Sequence, residues 1–209
     1  MALLKILRYP DPKLRKKGVS VGKIDGRIHL LLDNMLETMR DERGVGLSAP
    51  QVGENIRVVL VSDTRDFEPA EVPADEDAST DLREEEAPVE MPVIEMINPV
   101  IEKSSGLMDE DTEGCLSIPG FTGRVKRSKS VEVKWLCRDG KQHSMTASGF
   151  TARIVQHEID HLDGTLFIDR LSALKKQMML KKMDKVFGAV SDTPQAPVAK
   201  KQKKGAAHE

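Results

Sequence analysis

The chain has 209 residues, 39% of them hydrophobic, and a formal net charge of −2 at pH 7; it can bury one core with extensions, and its overall charge gives no reason to expect specific DNA binding. Two cysteines, Cys115 and Cys137, are too few for a disulfide scaffold and point instead to thiol or metal chemistry. The opening MALLKILRYPDPKLRKKG is interrupted by Lys5, Arg8, Pro10 and Pro12, too short an apolar run for a secretory signal, and no segment reaches the roughly 18–20 apolar residues of a membrane span.

In chain order, the first expected element lies in GKIDGRIHLLLDNMLETMRDERGVG. Ile28, Leu31, Leu32, Met35, Leu36 and Met39 recur every three or four positions, the period of one helical face. A helix starting near Asp25 and ended by Gly44 follows. GVGLSAPQVGEN comes next, then IRVVLVSD, a continuous β-branched run that predicts a buried strand. From Asp63 to Glu90, twelve acidic residues stand against Arg65 and Arg83 alone, with three prolines and few large apolar side chains. Such a stretch cannot bury a core, so residues 63–91 are expected to form an exposed, flexible insertion.

VIEMINPVIEKS resumes strand-like alternation. In SVEVKWLCRDGKQHSMTA, Val131, Val133, Trp135 and Cys137 share one face and Asp139–Gly140 supplies a turn, the pattern of a hairpin. SGFTARIVQHEIDHLDG predicts a helix with Ser148 as N-cap and Gly164 beyond its end. A last helix is expected over about 172–187, followed by a disordered Lys-rich tail at 188–209. This order lacks regular βαβ alternation. It predicts an α+β fold in which small antiparallel or mixed sheets pack around a central HExxH helix, with N-terminal and C-terminal helices, in a single domain over 1–187.

The stretch QHEIDH carries His157, Glu158 and His161 as H-E-x-x-H. Helical residues four apart project from nearly the same side, so two imidazoles can grip one ion while the adjacent glutamate reaches a water on it. A third protein ligand is needed. The long zinc-protease pattern H-E-x-x-H-x-x-G-x-x-H matches through Gly164, but Phe167 stands at its final histidine. No glutamate lies between Glu158 and Glu209 to serve the alternative pattern. The third ligand is therefore sought upstream, among Cys115, Cys137, His29 and His143. Cys115, in EGCLSIPG between turn-forming neighbours, is preferred. Cys137 follows a strand's inward alternation, and His29 and His143 are expected to be solvated.

Three motifs then stand in order: GVGLSAPQ (44–51), EGCLS (113–117) and QHEIDH (156–161). Together they resemble the peptide deformylase family, and ILRYPDPKLR looks like that family's N-terminus. The similarity covers about 3–62 and 92–187, leaving out the acidic insertion and the basic tail. The resemblance implies an enzyme that hydrolyses the N-formyl group from formyl-methionine on nascent peptides. It implies Cys115, His157 and His161 as metal ligands, Glu158 as general acid/base, and Gln51 with the Leu116 N–H as oxyanion donors. Gly46 would contact the substrate backbone, and Val45, Phe150 and Ile154 would line an apolar pocket for the methionine side chain. Ser48, Arg153 and Ile154 depart from the common pattern and affect only the pocket's fine shape. Ferrous iron (Fe2+) is the implied metal, with zinc, nickel or cobalt able to occupy the site; one thiolate and two imidazoles do not choose between iron and zinc.

Two other readings compete. A zinc endopeptidase of the HExxH type is weakened by Phe167 and the missing downstream glutamate. A metal-stabilised binding module without catalysis would need neither Glu158 nor Gln51. From Leu171 to Glu209 nine lysines face three acids, a net charge of +6. Lysines hold phosphate backbones electrostatically, so ribosome contact through the C-terminal helix and tail is an expectation. Formyl-methionine and the lack of a visible transit peptide point to bacterial cytoplasm.

Overall fold

The computed structural model describes residues 2–64 and 91–188. The expected insertion lies almost wholly outside the described residues, and the expected tail lies outside them apart from Gly188.

Asp25 caps α1 (Gly26–Asp41), its carboxylate accepting from the N–H groups of Arg27 and Ile28. Ile28, Leu32, Met35 and Met39 form the buried face that the spacing predicts. Strands β1 (Gly46–Ser48), β2 (Val58–Ser62) and β3 (Val93–Ser104) follow. β4 (Met108–Gly114) and β5 (Thr122–Ser128) come next, then the hairpin strands β6 (Ser130–Leu136) and β7 (Gln142–Ser148). The HExxH helix is α2 (Gly149–Leu162), and α3 (Ala173–Phe187) follows. One sheet has the order β1-β2-β3-β6-β7, and β4 with β5 makes a second. Both are antiparallel throughout.

The continuous apolar character of β2 has a simple cause. Val59 and Val61 belong to the core shared with α2, whereas Val58 and Leu60 belong to the core shared with α1. A strand buried on both faces cannot afford polar alternation. Val131, Val133 and Trp135 of β6 are buried against the first of these cores, with Cys137 partly buried beside them. Gly140, at φ 80°, takes the left-handed conformation in the turn of this hairpin. Ser148 does occupy the N-cap of α2, but its side chain makes no capping bond.

The β4–β5 hairpin was not predicted. Its strands, MDEDTEG and TGRVKRS, carry almost no apolar alternation because only Glu113, Val125 and Arg127 are buried. Opposite charge takes its place: Asp109 faces Arg127 and Glu110 faces Lys126 across the ladder. A third core under this hairpin joins Val125 to Leu14, Ile118, Phe167, Leu171 and Met183 of α3.

α2 sits in the middle, with Val155, Ile159 and Leu162 in the core against the main sheet. Its other sides are also enclosed, so Arg153, His157, Glu158, Asp160 and His161 are buried as well. Gly164 ends the helix at φ 71°, where a Cβ would lie 2.7 Å from the carbonyl carbon of Arg15. Glycine here permits both the turn and the passage of the N-terminal segment.

Candidate active site

One turn of α2 separates His157 from His161, and their rings meet edge to face at 5.0 Å between centroids. Cys115 follows directly on β4, and its Sγ lies 3.2 Å from Nε2 of His161. One ligand atom from each of Cys115, His157 and His161 falls within 4.8 Å of the others. This is the only such group of three His, Cys, Asp or Glu side chains among the described residues. The other candidates stand apart. His29 is half-buried rather than solvated, with Nε2 3.1 Å from the Arg138 carbonyl. His143 is exposed and packs on Trp135. Phe167 is fully buried and stacks against His157, 19° from parallel.

A carboxylate from the second sheet orients His157. Glu113 Oε2 lies 2.9 Å from His157 Nδ1, so the ring donates there and leaves Nε2 free to bind. Glu113 also accepts from Arg127 Nε and Nη2, and from Arg153 Nη1, each at 2.9 Å. Burial opposes ionisation of Glu113, but Arg127 and His157 outweigh it and hold its carboxyl well below the usual range. Arg127 continues to Asp160 of α2, which Arg170 also holds. Sequence reasoning missed this network. Its one available signal was the glutamate two positions before Cys115. Arg153, expected to affect only pocket shape, is instead a buried strut bonding Glu113, Asp109 and the Val125 carbonyl. Gln156 ties α2 to β5 by exchanging hydrogen bonds with the backbone of Ser128.

Gln51 lies in the short 3-10 turn Ala49–Val52 after β1. Its Oε1 accepts from both the N–H and the hydroxyl of Ser48 at 2.8 Å. That fixes which way the amide faces: Nε2 points to Cys115 Sγ at 3.5 Å and Ser117 Oγ at 3.3 Å. Ser48 thus anchors Gln51. The Leu116 N–H makes no hydrogen bond to a described residue.

Glu158 is buried beside the histidines, and its Oε2 has no hydrogen-bond partner among the described residues. Burial pushes its carboxyl up to about 7. A Cβ on Gly46 would come within 2.9 Å of both Glu158 Cδ and Ile154 Cγ2. Only glycine lets the β1 backbone pass so close to this carboxylate. A cleft of about 400 Å³ opens over the group, and Val45, Gly46, Phe150 and Ile154 all line it, as do Gln51, Cys115, Leu116 and Glu158. The structure therefore brings every sequence-predicted site residue to one place, with His161 buried beneath the others.

The family model for polypeptide deformylase matches residues 3–177. The chain belongs to the polypeptide deformylase family. It is 43% identical to the peptide deformylase of Thermodesulfovibrio yellowstonii, over 87% of this chain and 97% of that one. It is 42% identical to peptide deformylase 1 of Pseudomonas syringae pv. tomato, over 88% and 96%. Among solved structures, the peptide deformylase of Legionella pneumophila superposes with a TM-score of 0.71 at 38% identity, covering 88% of this chain and 95% of that one. The Ehrlichia chaffeensis enzyme in complex with actinonin superposes at 0.73 with 33% identity, over 89% and 98%. The protein is accordingly a metal-dependent hydrolase of protein biosynthesis that removes the N-formyl group from formyl-methionine at the start of new chains. The HExxH endopeptidase alternative is not favoured. No helix among the described residues is long and apolar enough to cross a membrane.

Proposed function

We propose that Cys115, His157 and His161 hold one divalent cation and that Glu158, Gln51 and Leu116 carry the deformylation step around it. The observation that supports this most directly is the convergence of one thiol and two imidazoles beside a buried carboxylate oxygen with no partner among the described residues. A group with one thiolate and two imidazoles suits ferrous iron or zinc; we assign ferrous iron, with zinc, nickel or cobalt able to replace it. Once bound there, the cation would supply Lewis acidity, lowering the pKa of a water and polarising the formyl carbonyl.

Each protein group then has a definite task. Glu158 accepts a proton from the attacking water and passes it to the departing amine of methionine. As the formyl oxygen gains negative charge, Gln51 Nε2 and the Leu116 N–H donate to it. Ser48 holds the Oε1 end of the Gln51 amide, which keeps Nε2 turned towards Cys115. Leu116 is covalently next to Cys115, so one piece of backbone sets both ligand and donor. Gly46 admits the substrate backbone against Glu158, and Val45, Phe150 and Ile154 receive the methionine side chain.

Anaerobic purification with metal analysis tests the centre. Turnover of a formyl-methionyl peptide, set against cleavage of a long unformylated peptide, tests the activity. Gln51→Ala is expected to lower kcat roughly 10²- to 10³-fold, the usual cost of one oxyanion donor, with metal content unchanged. Loss of metal together with activity would instead make Gln51 a support for Cys115.

The unit proposed to act is 1–187. Its location is proposed to be the bacterial cytoplasm, in keeping with the bacterial relatives. Ribosome contact is supported by α3, where Lys181, Lys182 and Lys185 are exposed and take no acidic partner among the described residues. Removing residues 188–209 is expected to weaken a salt-sensitive association with ribosomes; unchanged association would discard a role for the tail.

A further inference from the structure

α1 ends in a Schellman arrangement: the Gly44 N–H donates to the Met39 carbonyl and the Arg43 N–H to the Arg40 carbonyl. The residue at its centre has to adopt a left-handed backbone, where glycine or asparagine is favoured. Here that residue is Arg43, at φ 52°. A bulky side chain at positive φ is an uncommon and mildly costly choice. Its result is that an exposed arginine lines the active-site cleft next to Gly44, Val45 and Gly46.

The surrounding charges leave this one distinct. The other charged side chains lining the cleft are Glu113, Arg153, His157 and Glu158, all buried. Arg43 is exposed and has no acidic partner among the described residues. Its neighbour Glu42 faces a different groove, beside Leu4–Arg8. Asp109 and Glu110 of β4 are paired with Arg153 and Lys175, and neither they nor Asp111 line the cleft.

We propose that Arg43 is a specificity-determining residue that favours acidic side chains at the second and third positions after formyl-methionine and disfavours lysine or arginine there. The reach follows from chain geometry. Only Gly44 and Val45 lie between Arg43 and Gly46, which abuts Glu158, so three residue steps limit the Arg43–Gly46 separation to at most about 10 Å. A peptide leaving the site in extended form covers the same distance in about three residues. The proposal rests on the cleft being the deformylase substrate site and adds a preference to it.

Three C-terminally amidated peptides of equal length, formyl-Met-Ala-Asp-Asp, formyl-Met-Ala-Ser-Ser and formyl-Met-Ala-Lys-Lys, test it, because they differ only at the two positions concerned and the serine peptide is the uncharged reference. The wild type is expected to favour the Asp peptide over the Lys peptide in kcat/KM by roughly two- to fivefold at low ionic strength, as suits an exposed ion pair. High salt should erase the difference. Arg43→Gly should bring the ratio to one, and Arg43→Glu should invert it. Glycine suits the left-handed position, so Arg43→Gly should melt no lower than wild type, which separates lost selectivity from lost fold. Equal ratios in wild type and both variants would overturn the proposal. Failure of the wild type to act on any formylated peptide would overturn the deformylase reading itself, and the preference with it.

Discussion

Glu158→Gln is expected to lower kcat/KM for a formyl-methionyl peptide about 10³-fold while metal content per chain stays at the wild-type value. The amide keeps the shape of the side chain and removes the carboxylate proposed to take and return the proton. Steady-state assay with metal analysis on the same preparation checks it; activity within tenfold of wild type would remove Glu158 from the role of general base. The same substitution has an opposite effect on stability. Burial raises the Glu158 carboxyl to about 7 from its ordinary 4.5, so the metal-free fold favours the protonated form. The stability tied to that proton is complete below about pH 4.5 and is lost as pH rises through about 7. Metal-free Glu158→Gln, having no charge to bury, should be more stable than metal-free wild type at pH 8, by up to about 3 kcal/mol. Thermal melts after chelation, at pH 5 and pH 8, read the difference.

Glu113→Ala is the second large effect and acts without touching substrate chemistry. It removes the Glu113 carboxylate from buried Arg127 and Arg153, leaving them Asp160 and Asp109, and releases the Nδ1 of His157. Removing one partner from such a buried cluster typically costs about 3–5 kcal/mol. Losing the hydrogen bond that orients a ligating histidine typically weakens metal binding 10- to 100-fold. Denaturant unfolding with chelator competition measures both. The acid limb carries a further signature. Glu113 titrates well below the ordinary carboxyl range, so its stabilisation is present above about pH 4.5 and lost as pH falls towards its folded value. Wild type should therefore lose stability more steeply than Glu113→Ala under acid conditions. Identical acid limbs and unchanged metal affinity would show that the network does not support the centre.

The parts of the site that could be read from sequence are those set by local geometry. The spacing of His157 and His161 places both on one side of α2 whatever surrounds the helix. The face of α1, the buried run of β2 and the turn at Asp139–Gly140 are local or periodic in the same way. Cys115 was reached differently, by asking which residue type could complete a ligand set and finding few candidates. The β4–β5 hairpin escaped because it is held by opposite charges and two buried ionic side chains, which leave no hydrophobic period to detect.

The sequence by itself determined the helical pair of imidazoles and the three motifs, because each depends on spacing within one segment, and the α+β class, because that depends on the order of elements along the chain. Tertiary structure alone decided that Glu113, Arg127, Arg153 and Asp160 form one buried network behind His157, that Ser48 turns the Gln51 amide towards the thiol, and that Arg43 lines the cleft. These relations join side chains from separate segments. Such contacts exist only after hydrophobic burial has brought α2, β1 and the second sheet together, and burial then makes a satisfied charge pair favourable and an orphaned one costly.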